Sequence, residues 1–367
     1  MMRIAYDHQI FGWQRYGGIS RYFFELATNI AQAKTDEVAI ISPLYVNAYL
    51  SSAPDDLRIL GRKVPAVKRS GRIYRAINQF LAPPLLKSFR PDVVHESYYS
   101  MRGLAPTTSK VVLTVFDMIH ERFPESFPPW DSTAKEKAAA VQRADHVICI
   151  SENTRQDLIQ ILGVRPEKTS VVHLGFALTS AADAAASART RPFLLYVGKR
   201  DGYKNFDRLL QVYGEQSALR NEFDLVAFGG GAFSLQERSL MDRFGLSASQ
   251  VQQIGGDDSV LADLYRTAHL FVYPSLYEGF GIPPLEAMSF DCPVVCSNSS
   301  SIPEVVGDAA VFFDPDSGES MGQALMKVAS DVSLRQALVA RGRERIKMFS
   351  WQRCAKQTID VYRSVLA

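Results

Sequence analysis

The sequence is short of almost everything that would commit it to a special environment. Cysteine occurs four times in 367 residues. Cys149, Cys292, Cys296 and Cys354 each sit among apolar or helical neighbours, so a disulfide framework is excluded and a reducing, cytosolic setting is expected. Cys292 and Cys296 bracket a short apolar run. Without a second Cys/His pair they read as buried free thiols rather than metal ligands. No apolar run approaches the length of a membrane span. The first six residues lead into a strand without a signal-peptide core. Formal net charge is only +2, which gives no electrostatic case for nucleic acid as a partner.

One absence is local. Between Arg58 and Arg90 there is no Asp or Glu, against nine Lys and Arg. Ile73, Ile77, Phe80 and Leu81 lie at helical spacing within that region. A basic amphipathic helix of this kind suits an anionic membrane surface. A basic acceptor groove and a solvated face also fit, and the pattern leans to the membrane.

What is present is alternation. Short apolar runs at residues 3–6, 38–41, 93–95, 111–116, 147–151 and 171–175 alternate with amphipathic or polar stretches. The same rhythm restarts at residues 193–198 and continues through 223–228, 251–255, 270–274, 294–297 and 311–313. Strands alternating with helices in both halves predict two open parallel α/β sheets. Residues 181–190 are small, polar and of low complexity, which reads as a linker. The expected domains are therefore 1–180 and 191–349, and residues 350–367 form a last helix. In such sheets ligands bind at strand carboxyl ends, so the cleft between the halves is the expected site.

The stretch that carries most chemistry is Tyr277-Glu278-Gly279-Phe280-Gly281-Ile282-Pro283-Pro284-Leu285-Glu286. It reads as strand, glycine turn, then helix. Pro283 or Pro284 suits a helix start, and the helix N-terminus offers N–H groups to an anion. Glu286 is expected in its first turn, and Glu278 just outside it. At residues 197–205 a second strand-to-helix turn carries Arg200, which can fork onto phosphate oxygens, and Lys204, which adds a point charge. Gly17-Gly18 is a third such turn, before a helix striped by Tyr22, Phe23, Leu26 and Ile30. Asp117 and His120 follow the strand at 111–116 and are site candidates by position. Asp314-Pro315-Asp316 matches the Asp-x-Asp of metal-dependent sugar transferases, but an aspartate–proline turn explains it better. Diphosphate charge and hydroxyl-accepting glutamates together suit a nucleotide-sugar.

These motifs resemble the family-4 retaining glycosyltransferases of GT-B fold, over nearly the whole chain. The Glu278…Glu286 pair is similar to that family's double-glutamate signature. Tyr16-Gly17-Gly18-Ile19-Ser20-Arg21-Tyr22 and residues 197–205 resemble bacterial mannosyltransferases that build O-antigen and other surface polysaccharides. The resemblance implies two Rossmann-like parallel-sheet domains, with the last helix crossing back onto the N-terminal one. It implies that Glu286 holds the nucleotide ribose and Glu278 the donor sugar, and that Arg200 and Lys204 clamp the diphosphate. Gly279, Phe280, Gly281 and Ile282 would supply amides, and Gly17 and Gly18 would approach from the other domain. The expected activity is hexosyl transfer, with mannose from GDP-mannose as the best assignment, to a lipid-linked glycan. No metal and no cofactor are expected, and the enzyme would be cytoplasmic or peripheral on the membrane. A silent sugar-nucleotide-binding subunit and a nucleotide-sugar 2-epimerase are the alternatives. The sequence departs from the family at Phe116, where members often carry histidine before the aspartate. His120 is the candidate substitute.

Overall fold

A computed structural model of the chain describes residues 1–67, 71–176, 191–200 and 202–367. The expected linker at 181–190 lies outside the described residues, as do Lys68 and Arg69. The chain divides into two compact units, Met1–Gly175 with Phe349–Ala367, and Phe176–Met348.

In the first unit the described strands are β1 (Arg3–Tyr6), β2 (Glu37–Tyr45), β3 (Arg58–Lys63), β4 (Val93–Glu96), β5 (Lys110–Val115), β6 (His146–Cys149) and β7 (Thr169–Val171). They form one sheet in the order β3-β2-β1-β4-β5-β6-β7, parallel throughout. The near-continuous apolar runs of β1, β4 and β5 suit strands covered on both faces. Strand order reverses beside β1, so the loops after β1 and β4 flank the switch point where α/β sheets bind ligands. The helix Gly18–Gln32 buries Tyr22, Phe23, Leu26 and Ile30, the expected stripe. Ser151 caps the helix Glu152–Leu162 by accepting from Thr154 N.

The helix Trp351–Leu366 packs in this unit. Its Tyr362 hydroxyl lies 2.6 Å from His95 Nδ1 and 3.1 Å from Tyr6 Oη, and His95 Nε2 lies 2.8 Å from Thr114 Oγ1. Burial holds the His95 pKa down at about 3. The imidazole is therefore neutral, and both ring nitrogens have partners, as a buried polar group requires.

The basic region is not helical throughout. Its first residues form β3, which pairs with β2. Its helix runs over Gly71–Phe89, through Pro83 and Pro84. Each proline removes one i→i−4 hydrogen bond. Phe80, one turn before Pro84, is 81% exposed. Ile73, Ile77 and Leu81 share that exposed face.

In the second unit the described strands are β8 (Phe193–Val197), β9 (Asp224–Phe228), β10 (Val251–Ile254), β11 (Leu270–Tyr273), β12 (Val294–Ser297) and β13 (Ala310–Phe313). They run parallel in the order β10-β9-β8-β11-β12-β13. The switch point falls between β8 and β11, whose following loops are residues 198–205 and 274–281. All four cysteines are buried and free, as expected. Among the described residues no helix is long and apolar enough to cross a membrane.

Candidate functional site

The two loops at the second unit's switch point are joined to each other. Leu276 N donates to Tyr203 O at 2.8 Å. Lys204 Nζ lies 2.7 Å from Glu278 Oε1, and both side chains are largely buried. The Tyr273 phenol also donates to Glu278; burial first, and then that carboxylate, push its pKa well up. Glu278 is thus fixed by a cation and a phenol at the end of β11. Asn205 Nδ2 donates to Pro315 O at 2.9 Å, which braces the Lys204 turn from behind. Within Asp314-Pro315-Asp316, Asp316 N donates to Asp314 Oδ1, so the triplet is a turn.

The loop 277–281 is held by serines that sequence reasoning passed over. Ser301 Oγ donates to both Glu278 O and Phe280 O at 2.9 Å, and Glu278 N donates to Ser300 Oγ at 2.9 Å. Ser297 Oγ anchors Ser275 O at 2.6 Å. Carbonyls drawn inward in this way hold the turn in one conformation. The only signal available was the serine run at 297–301 after an apolar strand. Gly281 adopts φ 102°, a left-handed conformation that glycine favours, and caps the helix Ile282–Ser289. That helix opens with the amide of Ile282, with Pro283 at its second position. Glu286 is not in the first turn, as the sequence suggested, but one turn further in. The helix starts at Ile282, and Glu286 accepts from the Tyr265 hydroxyl at 3.2 Å.

Arg200 departs furthest from expectation. Its guanidinium is only 4% exposed and pairs with Glu237 Oε1 at 2.5 Å. It also donates to Gly229 O, Gly231 O and Ala232 O at 2.8, 2.9 and 3.0 Å, and lies 4.9 Å from the Phe233 ring centre. The Gly229-Gly230-Gly231 turn, with φ of 90°, 71° and 72°, wraps around it. A Cβ on Gly230 would meet Arg200 Nη1 at 2.6 Å. Glu237 also closes a capping box with Ser234. These donors face protein acceptors rather than a fork of open space, so Arg200 is a keystone of the loop layer behind Lys204.

In the first unit, Gly17 precedes and Gly18 opens the helix Gly18–Gln32, next to β1. Asp117 and His120 are brought near each other by the short helix Ile119–Arg122. Asp117 Oδ1 accepts from Ile119 N at 3.0 Å. Lys137, fully buried, donates to Asp117 O at 2.8 Å and to Glu121 Oε2 at 2.7 Å, and so fixes this loop. Nothing in its alanine-rich helix marked it. His120 stacks on Phe127 with ring centres 3.8 Å apart and lies 3.8 Å from Asp131 Oδ1. Burial, then the nearby Lys137, lower its pKa, which favours the neutral imidazole. Phe116 packs edge-on to Tyr22 at 5.4 Å, inside an aromatic core. The candidate residues therefore form two sets, one in each unit.

The sequence comparisons match this division. The model described as "Glycosyltransferase Family 4" matches residues 16–179, and that described as "Glycosyl transferases group 1" matches residues 181–345. The chain is 29% identical over 375 aligned residues to O-antigen chain mannosyltransferase B of Escherichia coli, covering 94% of this chain and 96% of that protein. It is 29% identical over 249 residues to a serotype-specific mannosyltransferase of Escherichia coli; that match covers 63% of this chain and only 30% of the longer protein. In structure it is similar to Anabaena Alr3699/HepE, solved in complex with UDP and glucose. There the TM-score is 0.73 at 17% identity, with 99% of this chain and 100% of that one covered. With two parallel-sheet units, a glutamate pair at the second switch point and both domain models matched in order, the chain belongs to the family-4 glycosyltransferases of GT-B fold.

Proposed function

We propose that the enzyme transfers mannose from GDP-mannose, with retention at the anomeric carbon, to a growing lipid-linked surface polysaccharide at the cytoplasmic side of the membrane. The observation that carries this reading is the Lys204–Glu278 pair, 2.7 Å apart, at the switch point of β8 and β11 beside the amide-bearing start of the helix Ile282–Ser289. In a retaining transfer, negative charge grows on the departing phosphate while the sugar becomes oxocarbenium-like. Lys204 and the amides at Gly279, Phe280, Gly281 and Ile282 stabilise that charge. Arg200 holds the loop layer that carries Lys204. Glu278 accepts from donor-sugar hydroxyls, and Glu286, oriented by Tyr265, accepts from the ribose. This cation and amide set supplies locally what a divalent metal supplies in other transferases, so no metal is required. Gly17, Gly18, Asp117 and His120 belong to the sugar and acceptor side. The E. coli relative is named for mannose transfer to an O-antigen chain, which favours mannose and a glycan acceptor here.

The assay is sugar transfer to an α-mannoside acceptor from GDP-mannose, UDP-glucose or UDP-galactose. Transfer from GDP-mannose is expected, and transfer from the uridine donors alone overturns the donor assignment. Nucleotide-sugar binding without nucleotide release would instead identify a silent subunit. A free 2-epimer made without acceptor would identify an epimerase.

The exposed Ile73, Ile77, Phe80 and Leu81 face, on a helix within a region that holds nine Lys and Arg and no acid, supports docking on an anionic leaflet. Cosedimentation with phosphatidylglycerol-containing vesicles, and its loss in Phe80→Glu, is the expected result. Equal binding of wild type and variant would remove this helix from the membrane contact.

A further inference from the structure

The loops at the switch point of the second unit rest on buried phenols. Tyr196, near the end of β8, is 1% exposed, and its hydroxyl donates to Lys199 O at 2.5 Å, at the start of the loop 198–205. Tyr273 ends β11, is 2% exposed, and hydrogen-bonds to Glu278. A Cβ on Gly281 would stand 3.7 Å from its ring, so the ring lies against the turn that carries Glu278. Tyr265, on the helix Asp258–Thr267, is fully buried and packs on Phe271 and Phe290, with ring centres 5.5 and 6.0 Å away. Its hydroxyl reaches Glu286 Oε2 at 3.2 Å.

Packing alone does not ask for tyrosine at these places. Phenylalanine fills nearly the same space and brings no hydroxyl that burial would penalise. The hydroxyl makes sense where its partner has to be held. In each Tyr–Glu pair the ring is locked among its neighbours and the glutamate is the flexible member. An unheld glutamate loses its rotamer freedom when substrate binds; one already pinned does not. Burial first, and then the carboxylate, raise the Tyr265 and Tyr273 pKa values well above the usual phenol range, so both stay protonated and remain donors. Glu278 also has Lys204 at 2.7 Å. A lysine has three N–H groups. With Tyr273 as a second anchor, Glu278 keeps its place while Lys204 shares its donors with a phosphate.

We propose that Tyr273 and Tyr265 are positioning residues that aim Glu278 and Glu286 at separate parts of one donor, Tyr273 serving the sugar step and Tyr265 the nucleotide. This rests on the donor reading above, in which Glu278 accepts from the sugar and Glu286 from the ribose. The consequence is a kinetic division of labour. Ribose contacts are alike in the ground and transition states, so losing the Tyr265 hydroxyl weakens nucleotide binding and spares kcat. The sugar changes shape and charge on the way to the transition state, so losing the Tyr273 hydroxyl falls on kcat.

Tyr265→Phe and Tyr273→Phe remove only the hydroxyl and keep the packing. The readouts are GDP affinity by calorimetry, with UDP as a second probe, steady-state transfer from GDP-mannose, and melting temperature. Tyr265→Phe is expected to bind the nucleoside diphosphate about tenfold more weakly with kcat within about twofold of wild type, and Tyr273→Phe to lower kcat about tenfold with that affinity unchanged. Tyrosines that only support the fold would lower the melting temperature and move both constants together or neither. Wild-type constants in both variants, or the same pattern in both, overturn the inference. Glu286→Ala and Glu278→Ala separate its failure from that of the donor reading. If Glu286→Ala weakens nucleotide binding and Glu278→Ala lowers kcat while the tyrosine variants do neither, only the positioning role falls. If the two glutamate variants leave both constants intact, the donor reading falls and takes the positioning role with it.

Discussion

Lys204→Ala is expected to lower kcat for sugar transfer by about 10²–10³-fold, the range seen when one donor to a developing anion is removed. Lys204 is the side-chain cation that the structure brings to Glu278 and beside the 277–282 turn. The charge it meets exists mainly in the transition state, so the loss falls on kcat more than on KM. A structural explanation makes a different forecast. If Lys204 only neutralised Glu278, Lys204→Ala would lower the melting temperature and leave kcat largely intact. A kcat within about threefold of wild type would remove Lys204 from the phosphate role.

The second large effect is on stability. Arg200→Ala leaves Glu237 buried without its cation and three carbonyls without their donor. Breaking a buried ion pair from one side costs about 3–5 kcal/mol. For a unit of this size that is a fall of roughly 10 °C in melting temperature. Glu237→Ala is expected to act in the same direction, and the double variant to fall short of the sum, because the two residues share one network. A shift of less than about 2 °C for Arg200→Ala would contradict the keystone role and return the guanidinium to ligand binding.

The difference between these two residues shows what the sequence can and cannot convey. Arg200 and Lys204 stand four apart in one strand-to-helix turn, and both read as phosphate ligands. Only the tertiary structure brings Glu237, a capping residue thirty-seven positions away, into contact with Arg200. The Gly229-Gly230-Gly231 turn was visible as a turn, but not as a collar around a guanidinium. Two parallel sheets were legible because the strands are continuous apolar runs, and the Glu278…Glu286 turn because glycine, proline and acid fall at fixed offsets. β3 was hidden by its charge: Arg58-Ile59-Leu60-Gly61-Arg62-Lys63 is an edge strand whose basic residues protect an open flank. Ser300, Ser301 and Lys137 were missed because single polar residues give no periodic signal, although each fixes a loop that carries candidate site residues.

The anomeric configuration of the product formed from GDP-mannose and an α-mannoside, read by NMR together with release of GDP, decides whether the enzyme is a retaining mannosyltransferase. An α-linked product, the configuration of the donor, is expected, formed in step with GDP. A β-linked product, or GDP release that yields only free mannose in the presence of acceptor, would contradict it.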